Sequence, residues 1–267
     1  MQKFGPFSTK EDMEVEDLEI YGPAKIKHHI IVEGDAEING PCSVSGNLEV
    51  SSDLEVRGPL SVKEGSVIAR EIEISGPLTV KRGTIKSQMD MEIHGPLSNK
   101  HGTVECEDLD IDGPLNTSGS MTAKNVDISG PLNSDTALTF QDVKISGPVA
   151  CDGNFVGKSV DISGPIRIKG ALIASEKVEI FLSGSDREGR SLIECDYIEA
   201  PEITITGRSR RYFFEGAGIK VAMDGNRSEP PYIEVDLKGE KIILKNVQHK
   251  GKIEGELILE NGATHED

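Results

Sequence analysis

The chain has 267 residues and a formal net charge of -17, with 46 acidic side chains against 29 Lys and Arg. That balance excludes the clustered cations that binding to a phosphate backbone requires, and it disfavours adsorption to an anionic lipid surface. Aromatic residues make up only 4% and tryptophan is absent, which excludes a broad globular core built on large rings but not a narrow core of stacked aliphatic rows.

Read from its first residue, the chain repeats. Gly-Pro begins at Gly5, Gly22, Gly40, Gly58, Gly76, Gly95, Gly113, Gly130, Gly147 and Gly164, at nearly even intervals, and uses ten of the 13 prolines. A shorter period lies inside this one. Ile20, Ile26, Val32, Ile38, Val44, Val50, Val56, Val62, Ile68, Ile74 and Val80 form a row of β-branched residues at intervals of six. Two residues before each stands a partner, in order Leu18, Ala24, Ile30, Ala36, Cys42, Leu48, Leu54, Leu60, Ser66, Ile72 and Leu78. Residues at i and i+2 share one face of a strand, so each hexad supplies one inward pair. A helix would scatter a period of six over different faces.

Three hexads return the chain above itself. The spacing therefore predicts an all-β fold, a three-sided parallel β-helix of about ten coils over residues 1–182, with about 18 residues per coil. One-residue slips near 81–90, 124–126 and 141–143 adjust the register. The inward pattern resumes through Leu132, Phe140, Val160, Ile162, Ile166, Ile168, Val178 and Ile180. At each corner glycine permits a bend that a Cβ resists, and proline fixes φ.

The 18-residue coil of hexads, with phrases such as Val32-Glu33-Gly34-Asp35-Ala36-Glu37-Ile38-Asn39-Gly40-Pro41 and Val44-Ser45-Gly46-Asn47-Leu48-Glu49-Val50, resembles the bactofilins, a family of polymer-forming cytoskeletal proteins. The likeness covers about two thirds of the chain. It implies a right-handed helix, filaments formed end to end without nucleotide or other cofactor, and a scaffold role in which the main partner is a second copy. A further scaffold or cell-envelope protein is a second partner that the resemblance admits. In that family a short N-terminal peptide can meet the membrane; its counterpart here would be Met1 to Phe7, with Phe4 and Phe7 as the rings that either insert or cover the first coil. The chain departs from the family pattern by starting its repeat almost at once and by carrying a larger C-terminal region.

Regularity fails after Leu182. Residues 183–267 read as a β-rich extension or cap: a polar segment from Ser185 to Arg190, then strand-like runs at Glu202–Gly207, Tyr232–Leu237, Lys241–Leu244 and Glu256–Leu259. These runs fit either irregular further coils or a small cap. Arg208, Arg210 and Arg211 beside Tyr212, Phe213 and Phe214 have the composition of an interaction patch.

The rival readings are a hexapeptide-type acyltransferase, which winds a left-handed helix of similar coil length, and a rigid binding module that displays the arginine-aromatic patch. The first needs a histidine base beside a loop leaving the coil. The even spacing of Gly-Pro leaves no such loop before residue 182, and His28, His29, His94 and His101 read as surface residues. No metal-ligand spacing occurs, and Cys42, Cys106, Cys151 and Cys195 stand too far apart for a zinc or redox motif. The expectation is a non-enzymatic scaffold without metal, cofactor or nucleic acid. Reduced thiols, the lack of an apolar run of membrane-span length and the lack of a secretory leader place it in the cytoplasm, with a peripheral membrane contact left open.

Overall fold

The computed structural model describes residues 1–183, 191–208, 212–216, 219–223 and 230–267. The fold is an all-β parallel β-solenoid with about 18 residues per turn, in agreement with the repeat. Among the described residues no helix is long and apolar enough to cross a membrane. The chain divides into two compact units, Met1–Ile145 and Ser146–Asp267.

In the first unit each coil lays one short strand on each of three faces. The first face stacks Gln2–Phe4, Leu18–Tyr21, Ala36–Asn39, Asp53–Val56 and their successors up to Asp142–Ile145. The second face runs from Phe7–Ser8 and Ala24–Ile26 to Leu132–Ser134, and the third from Met13–Val15 and Ile30–Val32 to Ser120–Thr122. Pairing is parallel throughout, so like sits on like: Leu54 pairs with Ala36 and Ile72, and Val56 with Ile38 and Ile74. The inward rows are sealed, with Leu18, Ile20, Ile26, Ile30, Val32 and Ile38 all at 0% exposure. β-Branched residues suit this pleated stack because their restricted χ1 fits a strand.

One stretch departs from the hexad count. The period places Ser66 and Ile68 inward, but the buried residues of the strand Ser66–Ala69 are Val67 and Ala69. Val67 pairs with Leu48 and Ile68 with Glu49, because the corner at Gly65, with φ of 69°, takes one extra residue. A shift by one residue exchanges the two faces of a strand. The corner at Arg70 is one residue shorter, and Ile72 and Ile74 are inward again.

A second departure is chemical. Above Val80 on the second face the inward row becomes Asn99, Thr117 and Ser134, all buried. Each closes the corner beside it. Asn99 donates to Ser120 O at 3.0 Å and accepts from Gly102 N at 3.1 Å, Thr117 donates to Gly119 O at 3.2 Å, and Ser134 donates to Thr136 O at 2.8 Å. Burial of these polar groups is offset by their bonds.

The second unit is wound in the same way, with longer strands. Phe155–Ile162, Leu172–Ser183, Tyr197–Glu199 with Glu202–Arg208, Asp236–Lys245 and Ile253–Glu260 stack in parallel. Beside them Val149–Cys151, Ile166–Ile168 and Ile193–Glu194 form one run, and Tyr232–Glu234, Gln248–Lys250 and Thr264–Glu266 another. Leu192 N donates to Tyr232 O at 3.0 Å and joins the two runs. Of the two arrangements open for the C-terminal region, further coils with insertions is the one observed. Pairing passes unbroken through residue 183, since Leu182 faces Gly207 and Ser183 faces Arg208. Leu172 pairs with Ile198 and Ile198 with Leu237, steps much longer than the one from Leu237 to Ile253. The additional residues fall between Ser183 and Ser191 in the first of these steps, and between Arg208 and Pro230 in the second.

Candidate functional site

A coil inside the stack is covered on both sides, so the unsatisfied surfaces of a solenoid are its terminal coils. A coil without a neighbour leaves strand edges unpaired and its inward row in water. The two terminal coils differ in chemistry.

In the opening coil of the first unit, Lys3 takes the inward register position over Ile20, and Phe7, Met13 and Val15 lie over Ala24, Ile30 and Val32. Phe7, Met13 and Val15 are half-buried, whereas Lys3 is exposed. Phe4 is in register with Tyr21 on the outer side, is 76% exposed and stacks on the Tyr21 ring at 5.1 Å and 12°. Of the two rings expected either to meet a membrane or to cover the first coil, Phe7 lies half-buried in an inward row and Phe4 lies exposed on the outer side. An inward charge on an edge coil opposes stacking of another strand.

In the last coil of the second unit, Ile253, Leu257 and Leu259 lie over Leu237, Ile242 and Leu244, which are buried to 1% exposure or less. Leu259 itself is 46% exposed, with Ile253 and Leu257 intermediate. This coil presents aliphatic side chains and the edge of the eight-residue strand Ile253–Glu260, with Glu254, Glu256 and Glu260 at its flanks. His265 lies over the buried His249, their rings 5.0 Å apart. Nothing in the hexad pattern marks this pair. Its spacing in the sequence equals the local coil step from Leu237 to Ile253 and could have disclosed it.

The first face of the first unit carries an acidic column. Glu19, Glu37, Glu55, Glu73, Glu92, Asp110 and Asp127 follow one another in register. Like charges so stacked repel, at a spacing of about 4.8 Å. Cations interrupt the column: Arg57 bridges Glu37 and Glu55, Lys144 pairs with Asp127 at 2.7 Å, and His94 reaches Asp112 at 2.9 Å, Glu73 at 3.5 Å and Glu92 at 3.7 Å. Partial burial, then Asp127 and Asp112, raises the pKa of Asp110. The hydrogen bond to Asp112 leads the causes that raise that of His94, with Glu92 and Glu73 adding to it.

A raised histidine pKa stabilises the fold fully below the ordinary value near 6.5, and the contribution is lost as pH rises through the higher folded value. His94→Gln is expected to lower stability by only about 0.5 kcal/mol at pH ~6, because the side chain is 38% exposed and screened. Above pH ~8.5 the loss should vanish. Urea unfolding at the two pH values checks this; an equal difference at both would remove the ionic origin.

Arg210 and Arg211 lie outside the described residues. Arg208 ends the strand Glu202–Arg208, and Tyr212, Phe213 and Phe214 belong to Tyr212–Gly216, which pairs antiparallel with Ile219–Met223. The sequence reading missed that hairpin because it weighed the run from Arg208 to Phe214 by composition and not as a strand. Cys42 and Cys151 are buried in inward rows, and burial pushes the Cys42 thiol up to about 12. His29 lies 4.0 Å from Glu49 and has no acidic neighbour in common with His94. A groove of about 550 Å³ in the second unit is lined by Ile173, Glu199, Pro201, Lys238, Gly239 and Glu254, with Lys238 held by Glu199 at 3.1 Å. Among the described residues no group of three or more His, Cys, Asp or Glu side chains is placed to hold a metal ion. No family model matches the chain, and no curated protein or solved structure matches it either.

Proposed function

We propose that the protein is a self-assembling scaffold of the bactofilin kind, which associates without nucleotide through the apolar last coil of its second unit. The observation that carries this reading is the cut core at Ile253, Leu257 and Leu259, where Leu259 is 46% exposed while its partner Leu244 is at 0%. A second copy offers the one surface with matching strand spacing and matching aliphatic rows. Burial of such a side chain contributes about 1.5–3 kcal/mol, and the paired edge adds backbone hydrogen bonds. Lys3 at the opening coil supports the last coil as the associating surface. The net charge of -17 opposes association, so assembly is expected to strengthen with salt.

Sedimentation velocity and negative-stain microscopy test the proposal. The unsubstituted chain should form end-to-end dimers at pH ~7.5, and Leu259→Lys should raise the concentration of half-assembly at least about tenfold. A chain that remains monomeric at high concentration, or a Leu259→Lys variant that assembles as well as its parent, would overturn it.

A further inference from the structure

We infer that the last coil is fastened by a histidine pair that shares a single proton between facing nitrogens, and that a second proton on His249 unfastens it. His249 stands in the inward row over Ile233 and is 2% exposed; His265 stands over His249 in the same row. The hydrogen bonds fix where protons must be. His249 Nε2 lies 2.8 Å from the Val235 carbonyl oxygen, which can only accept, so that nitrogen carries a proton. His265 Nε2 lies 3.1 Å from Asp267 Oδ1, and a carboxylate likewise calls for a donor. The two Nδ1 atoms face each other at 2.9 Å, and one must be bare for the other to donate. A proton on His249 Nε2 and one on His265 Nδ1 make the two inner contacts, and a further proton on His265 Nε2, which turns that ring into an imidazolium, satisfies the contact to Asp267 as well. His249 Nδ1 is then the acceptor at the centre.

The surroundings of His249 favour that neutral form. From the coil beneath it faces Ile233 and the Val235 carbonyl, with Asp236 as the adjacent carboxylate, whose Oδ1 accepts from Lys252 N at 2.9 Å. From the coil above it faces His265, with Asp267 behind. On its own strand Lys250 points outward to Glu234 at 3.5 Å. Burial leads the causes that lower its pKa, and His265 adds to it, against the opposing pull of the Val235 carbonyl and Asp236.

Addition of a proton at His249 Nδ1 sets two N–H groups against each other at 2.9 Å and turns a hydrogen bond into repulsion. The strand above it, Thr264–Glu266, is only three residues long, so its ladder resists weakly. A histidine whose folded pKa is depressed stabilises fully above its ordinary value near 6.5, and that stability is lost as pH falls from there through the lowered value. Release of the coil uncovers Leu237, Ile242, Leu244 and Val247, a new apolar row. Acid would thus exchange one associating surface for another. This consequence for assembly rests on the scaffold reading; the fastening itself does not.

Amide hydrogen exchange on the full-length Leu259→Lys chain, corrected for intrinsic rates, tests the fastening apart from assembly. Between pH ~7.5 and pH ~5.5, protection over residues 253–267 should fall several-fold, by up to about tenfold for one histidine, while Asp236–Lys245 stays protected. His249→Leu combined with His265→Leu should keep the coil protected at both pH values. Unchanged protection in the parent, or an equal fall in the double variant, would overturn the inference. Nitrogen-proton NMR of the imidazoles gives a second reading that needs no core substitution: His249 should be the Nε2–H tautomer at neutral pH, and the Nδ1–H tautomer would be fatal. Failure of the unsubstituted chain to sediment as an assembly would sink the scaffold proposal alone.

Discussion

Ile74→Asp is expected to abolish the native fold of the first unit, whereas Ile74→Val should lower stability by only about 1 kcal/mol. Ile74 is at 0% exposure in the inward row, paired with Val56 beneath and Ile93 above. The aspartate forfeits about 2–3 kcal/mol of apolar burial and leaves a carboxylate without a partner in an aliphatic stack, at a further cost of several kcal/mol. Together these rival the whole stability of an ordinary domain, about 5–15 kcal/mol. The loss also spreads. A solenoid is held by contacts between adjacent coils, so a failed coil removes support from the coils on either side of it. Circular dichroism and urea unfolding of the two variants supply the comparison, and equal midpoints would show that the aliphatic columns do not carry the fold.

The same experiment at the neighbouring corner separates what periodicity reads from what geometry decides. Counted in sixes, Ile68 belongs to the core and Val67 to the surface, but Val67 is at 0% exposure while Ile68 faces outward. Val67→Asp should therefore be as destructive as Ile74→Asp, and Ile68→Asp nearly harmless. The hexads are legible because β-branched pairs at i and i+2 recur over many coils, and a single error cannot hide a pattern so often repeated. The slip at 66–69 is not legible, because the residue that causes it, Gly65 at φ of 69°, looks in sequence like any other corner glycine. The C-terminal strands can be read individually, yet their stacking as coils is hidden by the insertions that lengthen the steps from Leu172 to Ile198 and from Ile198 to Leu237. An exposed terminal surface is a physical demand of any open coil. Which coil is apolar depends on Lys3 and Leu259, two residues whose inward positions follow only from register.

Gly40→Ala is expected to cost about 3 kcal/mol or more, several times the effect of Pro41→Ala beside it. Gly40 has φ of 150°, in a region that disfavours side chains, and its added Cβ would lie 2.7 Å from Gly22 O and 2.9 Å from Gly22 C. Those are backbone atoms of the coil beneath, and Gly22 N is bonded to Asn39 O at 3.0 Å, so retreat breaks the ladder. Proline contributes less: its loss frees the unfolded chain and costs about 0.4–1 kcal/mol. Higher in the same column the requirement changes character. At Gly130 the added Cβ would meet Gly113 C and O at 2.7 Å with φ outside the region that disfavours side chains, so space alone forbids it. Gly130→Ala should therefore destabilise through coil separation, with little torsional strain, and the two variants together test whether contact or torsion holds the corner. If Gly40→Ala unfolds at the same urea concentration as Pro41→Ala, the glycine column does not set the spacing of the coils. The close stacking of glycine on glycine, one carbonyl beneath each Cα, would then be a result of the register rather than its cause.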